Sequence, residues 1–264
     1  MSVLMSHELL GYYRALAERS LTVVDVETTG HRCHQDRVTE IAVVQGIIGQ
    51  GISRSQSNLI HSGAMIPSFI TQLTGISQDM VDGAEAAEKI WPRYADDLYH
   101  GVLTAHNFDF DYGFLKAEYK RLGRSFHRPP SERLCTVALA RLMLPDLPSR
   151  SLPKLVQHFQ FPVGRSHRAE ADAHACWLLA QRLLSDICND SDDKVLNRFA
   201  QEWMPLNLAA RLLKCSHAVA QSRLTEAGVA HRLSKRTPHS VPMYRRGDVE
   251  SLVVASGDRQ LLLF

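Results

Sequence analysis

The segment LTVVDVETTG, residues 21–30, sets two acids at the end of an apolar, β-branched run. Such a run predicts a buried strand. Asp25 and Glu27 lie two residues apart, so the alternation of a strand places both carboxylates on one face. Two carboxylates ending a buried strand are costly unless positive charge lies between them, and a divalent cation fits that need. A pair of solvated acids is the alternative that this segment alone leaves open.

A second acidic stretch is HNFDFDYGFL, residues 106–115. A helix beginning near residue 109 places Asp111 beside the apolar stripe that contains Phe114. Asp109 lies about 200° round that helix from Asp111, so only one of the two can face a shared site. We therefore predict chemistry for Asp111 and an N-cap role for Asp109.

A third stretch, SHRAEADAHA, residues 166–175, joins a histidine to a helical pattern. Asp172 is predicted to face inward, and Glu170, on roughly the opposite side, to face solvent. A lone histidine is usually structural. His167 stands just ahead of an inward-facing acid, which favours a proton acceptor because the ordinary pKa of histidine lies near neutrality.

The rest of the chain to residue 187 alternates strands with helices, which predicts an α/β fold. An amphipathic helix is expected over 1–20. Further strands are predicted at 37–46, 56–62 and 101–108, and helices at 109–122, 136–144, 151–159 and 169–187.

Composition is that of an ordinary globular protein, with 264 residues, 45% hydrophobic and 22% charged. No run approaches the roughly 18 apolar residues of a membrane span, so no membrane partner is expected. The five cysteines form no CxxC pair, which predicts neither a disulfide framework nor a zinc site and favours a reducing cytoplasm.

Charge divides the chain unevenly. Residues 1–194 carry 20 Lys+Arg against 23 Asp+Glu, whereas residues 195–264 carry 10 against 5. The acidic, turn-rich segment 188–194 is the predicted linker between an enzyme domain over 1–187 and a module over 195–255, followed by a tail over 256–264. The basic module is the better candidate for a polyanion, and a solvated basic face is the alternative.

The motifs VDVETTG, HNFDFDYGFL and HRAEADA, in this order, resemble those of the DEDDh 3′–5′ exonuclease superfamily, which includes the epsilon proofreading subunit of bacterial DNA polymerase III. The resemblance spans about residues 20–187 and implies a ribonuclease H-like mixed sheet flanked by helices. It also implies two Mg²⁺ or Mn²⁺ ions held by four acids, with His167 as the general base. Those acids are Asp25, Glu27, Asp111 and Asp172.

Thr28, Thr29 and Gly30 lie where a terminal nucleotide could rest against backbone N–H groups. His106 and Asn107 are further candidates for substrate contact.

Within the basic module, LAARLLKCSHAVAQSRLTEAGV and YRRGDVESL resemble an excisionase-like or MerR-like winged helix-turn-helix. The resemblance implies that a recognition helix and a wing contact DNA, and a small helical module for protein contact is the alternative. The residues expected on DNA are Gln221, Arg223, Lys235, Arg236, Arg245 and Arg246.

The last five residues, QLLLF, resemble the peptide by which bacterial polymerases and repair proteins dock on the sliding clamp. Gln260 would form hydrogen bonds, while Leu261, Leu263 and Phe264 would supply the apolar contacts. Folding back onto the core is the alternative.

Together these features predict a metal-dependent 3′–5′ exodeoxyribonuclease that releases nucleoside monophosphates from DNA 3′ ends in replication proofreading or repair. DNA and, through the tail, the sliding clamp or DNA polymerase III are the expected partners. Two alternatives stay open: an RNA-trimming exoribonuclease of the same superfamily, and a DNA-binding regulator whose nuclease fold is inactive.

Overall fold

The computed structural model describes residues 4–164, 166–234 and 240–261, with the backbone alone described for 256–261. The chain divides into two compact units. The larger unit consists of Ala15–Leu139 and Ser149–Asp186, and the smaller unit of Met1–Arg14, Ala140–Pro148 and Ile187–Phe264.

Helices and strands alternate along most of the chain. In chain order they are α1 (Ser6–Ala17), β1 (Ser20–Thr28), β2 (Val38–Ile47), β3 (Gly51–Leu59), α2 (Ser68–Thr74), α3 (Gln78–Asp82), α4 (Ala87–Tyr99), β4 (Val102–Ala105), α5 (Phe108–Arg121), β5 (Arg133–Cys135), α6 (Thr136–Met143), α7 (Leu152–Phe159), α8 (Ala169–Asn189), α9 (Asp192–Ala200), β6 (Trp203–Pro205), α10 (Leu206–Leu212), α11 (His217–Glu226), β7 (His231–Leu233), β8 (Pro242–Arg245) and α12 (Arg246–Leu261). None of the helices in the described residues has the length and apolar character needed to cross a bilayer.

The larger unit is built on a mixed sheet in the order β3-β2-β1-β4-β5. β1 lies in the middle, antiparallel to β2 and parallel to β4. β2 is buried over nearly its whole length, which is typical of a strand covered on both faces. The predicted α/β fold, with a mixed sheet flanked by helices, is confirmed.

Helices α4 and α5 supply much of the core that positions β1. Trp91 and Tyr94 of α4 and Phe114 and Leu115 of α5 are buried in one cluster with Val24 and other residues of the sheet. The apolar side of α5 packs in this cluster. As a result, the first turn of α5 lies next to the end of β1.

The start of α5 differs from the prediction. The helix begins at Phe108, and its N-cap is Asn107, in the left-handed region with φ 72° and no side-chain capping bond. The predicted N-cap role of Asp109 is therefore wrong, because Asp109 is already the second residue of the helix.

The smaller unit contains the helix pair α10–α11, with the short strand β6 before it and β7 and β8 after it. A turn joins α10 to α11, and the hydroxyl of Ser216 accepts a hydrogen bond from the N–H of Val219 at the start of α11. β6, β8 and β7 form an antiparallel three-stranded sheet in that order. Met204 and Tyr244 of this sheet pack in one core with Leu224 of α11.

The predicted linker and tail are largely helical. Within 188–194, α8 continues to Asn189 and α9 begins at Asp192. The backbone of α12 extends to Leu261, so most of the residues predicted as a tail continue the last helix.

The N-terminal residues of the chain belong to the smaller unit. The backbone N–H and the hydroxyl of Ser6 both donate to the carboxylate of Glu250, at 2.8 and 2.9 Å. The guanidinium of Arg246 donates to the carbonyl of Leu4. These contacts join the two ends of the described chain across more than 240 residues.

Gly101, just before β4, gives a test of how β4 is held beside β1. Its φ is +54°, and a Cβ there would meet the carbonyl oxygen of Ser20, which is backbone. We expect Gly101→Ala to lower the free energy of unfolding by about 2–5 kcal/mol, from the left-handed backbone together with the clash.

Gly123 is the matched control for this variant, since it has a φ of +70° and open space where a methyl group would lie. Gly123→Ala should lower the free energy of unfolding by about 1–2 kcal/mol, which is the cost of a left-handed backbone for a residue with a Cβ. Urea unfolding of both variants measures the difference, and equal losses would contradict the close approach at Gly101.

Candidate active site

Four acidic side chains converge at the end of β1. Asp25 and Glu27 occupy one face of this strand, as the alternation predicted. Asp111 of α5 is buried, and its Oδ1 accepts a hydrogen bond from the N–H of Val26 at 3.2 Å. Asp172, in the first turns of α8, lies close enough to raise the pKa of both acids of β1.

The convergence is visible in the electrostatics of the site. Burial and then the charges of Asp111 and Asp172 hold the pKa of Asp25 well above its usual range. Burial, followed by Asp172 and Glu40, raises the pKa of Glu27 to about 8. Burial also raises the pKa of Asp111 and of Asp172. All four carboxyls therefore resist carrying charge together.

His167 completes the group. Ligand atoms of Glu27, His167 and Asp172 all lie within 4.8 Å of one another. The backbone N–H of His167 donates to Oδ2 of Asp172 at 3.0 Å. His167 has a φ of 66°, which a non-glycine residue seldom adopts and which marks a constrained position just before α8.

Glu40 is a site residue that the sequence motifs did not reveal. It lies opposite Glu27 in the register of β1 and β2 and is 3% exposed. Its Oε1 accepts from Nη2 of Arg168 at 2.6 Å, and its Oε2 accepts from Nε of Arg168 at 3.1 Å and from the N–H of Ala169 at 2.9 Å. Glu40 thus fixes the residue after His167 and satisfies a free N–H at the start of α8. The signal available in the sequence was an acid at an inward position of an apolar strand.

The chemistry of the donors fits divalent cations. The site offers several carboxylate oxygens, which Mg²⁺ and Mn²⁺ prefer as ligands. Burial is the largest cause of the raised pKa values, and repulsion between carboxylates adds to it at Asp25, Glu27 and Asp111. Bound cations would favour the charged forms of these groups. Arg168 provides positive charge nearby, since it lowers the pKa of Glu27, but its guanidinium is already paired with the carboxylate of Glu40.

Asp111 and Asp109 of the second motif lie on different sides of α5, as helical periodicity predicted. Asp111 is 2% exposed and faces β1, whereas Asp109 is exposed. Glu170, predicted to face solvent, is exposed as well.

Some of the groups near the end of β1 that were predicted to contact a nucleotide form hydrogen bonds within the protein. The N–H of Thr29 donates to the carbonyl of Arg37 at 2.9 Å, and the hydroxyl of Thr28 donates to the carbonyl of Gly30 at 2.6 Å. Gly30 is packed against the carboxylate of Asp36, where a Cβ would collide. The N–H of Thr29 is therefore not available to a nucleotide, contrary to the prediction.

His106 has a structural role in place of the predicted substrate contact. Its Nδ1 lies 2.9 Å from Oγ1 of Thr136, and its Nε2 lies 3.0 Å from the carbonyl of Arg150. Burial lowers the pKa of His106 to about 4, so the ring is neutral. Asn107 is exposed and stays a prediction.

The predicted DNA contacts of the smaller unit have different outcomes. Arg246 is wrong as a surface contact because it is 4% exposed and its Nε lies 2.7 Å from the carboxylate of Glu202. Gln221 is exposed on α11, and Arg223 and Arg245 are partly exposed. Lys235, Arg236, Leu263 and Phe264 lie outside the described residues, as do the side chains of Gln260 and Leu261.

A buried acid cluster beside a histidine, on a mixed sheet with a central β1, is an arrangement that can hold metal ions for hydrolysis. The family model described as exonuclease, of the RNase T group, matches residues 22–179. The chain therefore belongs to this exonuclease family, and the matched residues form its exonuclease domain.

Relatives agree with this assignment. The chain is 35% identical over 153 residues to DNA polymerase III PolC-type of Clostridium perfringens, which covers 58% of the chain and 10% of the relative. It is 34% identical over 171 residues to the 3′-5′ exonuclease DinG of Bacillus subtilis. This alignment covers 64% of the chain and 18% of the relative. The chain thus spans less than a fifth of the length of either relative.

Solved structures share the fold. Escherichia coli exonuclease I in its zinc-bound complex with single-stranded DNA superposes with a TM-score of 0.58 at 15% identity, over 68% of this chain and 42% of that one. Cell-death related nuclease 4 superposes with a TM-score of 0.52 at 17% identity, over 63% of this chain and 64% of that one.

The contact of Glu40 with Arg168 predicts an effect on catalysis beyond stability. Without this carboxylate, Arg168 and the start of α8 lose their anchor, and His167 shifts. We expect Glu40→Gln to lower kcat for nucleotide release at least about tenfold, since displacements near 1 Å have effects of that size or larger.

Glu202→Gln is the matched control because Glu202 is also a buried partner of an arginine. It should lower the free energy of unfolding as Glu40→Gln does, yet leave kcat unchanged below the melting temperature. Full kcat in Glu40→Gln would show that the contact only stabilises the fold.

The raised pKa of Glu27 predicts how the metal-free protein responds to pH. Between the ordinary pKa of 4.5 and about 8, the folded carboxyl keeps a proton that the unfolded chain releases. The folded state then binds more protons, so stability falls as pH rises, by at most about 1.4 kcal/mol per pH unit for one such group.

Urea unfolding in EDTA from pH 5 to pH 8 measures this slope. Glu27→Gln should lose less stability than the wild type over the same range. An identical slope in the two proteins would contradict the raised pKa.

Proposed function

We propose that this chain is a metal-dependent 3′–5′ exodeoxyribonuclease that releases nucleoside monophosphates from DNA 3′ ends in proofreading or repair. The observation that carries the proposal is the convergence of Asp25, Glu27, Asp111 and Asp172, each with a raised pKa, beside His167. Membership of the exonuclease family supports the same reaction.

The four acids are the proposed ligands of two Mg²⁺ or Mn²⁺ ions. When bound, such a pair would supply an activated water and would stabilise the charge on the leaving 3′-oxygen. The chain's own part is to hold the oxygens in place: the N–H of Val26 orients Asp111, and the N–H of His167 orients Asp172.

His167 is the proposed general base, which takes the proton of the attacking water. Its ring belongs to the group formed with Glu27 and Asp172, so it lies within reach of a water bound at that group. The constrained backbone at His167 and the anchored Arg168 limit how far the ring can move.

DNA is favoured over RNA as the substrate by two features. One similar relative is named a DNA polymerase III, and residues 195–264 carry an excess of basic residues. The helix pair α10–α11 with the β7–β8 hairpin is the proposed winged helix-turn-helix, with Gln221, Arg223 and Arg245 as DNA contacts.

A role for the last five residues in docking on the sliding clamp or on DNA polymerase III stays a proposal, supported by their sequence alone. Deleting 260–264 should abolish retention by immobilised clamp without changing the rate on short oligonucleotides. Unchanged retention would contradict it.

The nuclease assay uses a 5′-labelled single-stranded DNA 20-mer and an RNA of the same sequence, with Mg²⁺, with Mn²⁺ and with EDTA. We expect DNA to shorten from its 3′ end with release of mononucleotides, only when a metal is present. Faster shortening of RNA would overturn the substrate class, and no shortening of either would overturn the function.

Asp111→Asn and Asp109→Asn are a matched pair two residues apart on α5. Losing a metal ligand should lower the rate by more than about 100-fold, since even residues that only orient ligands have effects of 10–100-fold. Asp109→Asn should keep the wild-type rate because Asp109 is exposed and caps no helix. Equal rates in the two variants would overturn the site assignment.

A further inference from the structure

The small sheet of the smaller unit has one face packed in a core and one face that carries arginines. Trp203 of β6 lies directly opposite Arg245 of β8, and Arg232 of β7 lies opposite Met243, two residues before Arg245. Because side chains alternate, Trp203, Arg232 and Arg245 share one face. Tyr244, the neighbour of Arg245, points to the other face and is buried.

Both arginines lie over the same aromatic ring. The guanidinium carbon of Arg232 is 4.2 Å from the centroid of the Trp203 ring, and that of Arg245 is 4.1 Å from it. Tryptophan is the side chain that attracts cations most strongly through its face. We call Trp203, Arg232 and Arg245 the arginine–tryptophan cluster.

The cluster concentrates like charge. Burial and then the charge of Arg245 lower the pKa of Arg232, which shows that the two cations oppose each other. Among the side chains that the structure describes, the carboxylate within 4 Å of the cluster is that of Asp146, at 3.9 Å from Arg245 and 85% exposed. Such an exposed contact is worth little. In contrast, the neighbouring Arg246 is closely paired with buried Glu202.

An anion is the ligand that this arrangement favours. Stacking on an aromatic ring restricts a guanidinium to a plane and leaves N–H groups at its edge, and this geometry suits phosphate oxygens. Arg245 also donates to the carbonyl of Gln201, which fixes it further. Two cations at fixed positions match the regular spacing of charge along a phosphodiester backbone.

We propose that the arginine–tryptophan cluster binds phosphates of the DNA backbone, independently of base sequence. The proposal rests on the proposed function, because it takes DNA as the substrate. It extends the sequence prediction, which placed Arg245 on DNA but assigned no contact to Trp203 or Arg232. Trp203 and Arg232 gain a role, and the open face of the sheet becomes a nucleic-acid surface.

The test measures binding of the full-length chain to labelled duplex DNA by fluorescence anisotropy at several KCl concentrations. All proteins carry Asp111→Asn so that the DNA is not degraded. Arg232→Gln and Arg245→Gln should each reduce the slope of log affinity against log salt by about 1, equally for two unrelated sequences. Trp203→Leu should weaken binding while Trp203→Phe, which keeps an aromatic face, should largely retain it.

Arg198→Gln is the matched control, since Arg198 lies in the same unit but is paired with Asp190 at 2.8 Å. Its salt slope should equal that of the parent protein. An unchanged slope in the Arg232→Gln/Arg245→Gln double variant would overturn the proposal, as would a loss confined to one DNA sequence.

If the wild-type chain shortens DNA but the salt slopes of the variants equal that of the parent protein, this inference fails and the proposed function stands. If the wild-type chain shortens neither DNA nor RNA, the proposed function fails on its own account.

Discussion

Repulsion among carboxylates at the end of β1 is the constraint around which the larger unit is arranged. Burying Asp25, Glu27, Asp111 and Asp172 together is unfavourable. Burial is the largest cause of each raised pKa, and repulsion between the carboxylates adds to it at Asp25, Glu27 and Asp111. What holds them is packing elsewhere: a central strand covered on both faces and a helix whose buried aromatic residues carry Asp111 to the strand. The core supplies the stabilisation, and the acids supply a site whose repulsion metal ions can relieve.

Glu40 and Arg168 show how the same repulsion is managed next to the site. Glu40 is a fifth buried acid, and its charge raises the pKa of Glu27, but Glu40 is itself matched by a guanidinium and by an N–H at the start of α8. A buried carboxylate with this set of donors has both of its oxygens satisfied by hydrogen bonds. The pair also joins β2 to the residue that follows His167, so the imidazole and the acids are positioned by one connected set of contacts.

Much of the larger unit could be read from the sequence, because its signals are local. Alternation in 21–27 gave the face of Asp25 and Glu27, and helical periodicity separated Asp111 from Asp109. The misplaced helix start had a physical cause: Asn107 takes a left-handed conformation, which lets α5 begin before Asp109. His106 and Arg246 were misjudged because their partners, Thr136 and Glu202, lie 30 and 44 residues away in the chain. Pairings of that kind leave no local pattern.

Contacts between the first residues and the last helix have a consequence for synthesis on the ribosome. Ser6 is 244 residues from Glu250, its hydrogen-bond partner. The larger unit, which ends at Asp186, can close its sheet while translation continues. Ser6 is made earlier, but it must wait for α12 to emerge before its partner Glu250 exists. In a nascent chain, the contact between α1 and α12 would therefore form only after the larger unit has been synthesised.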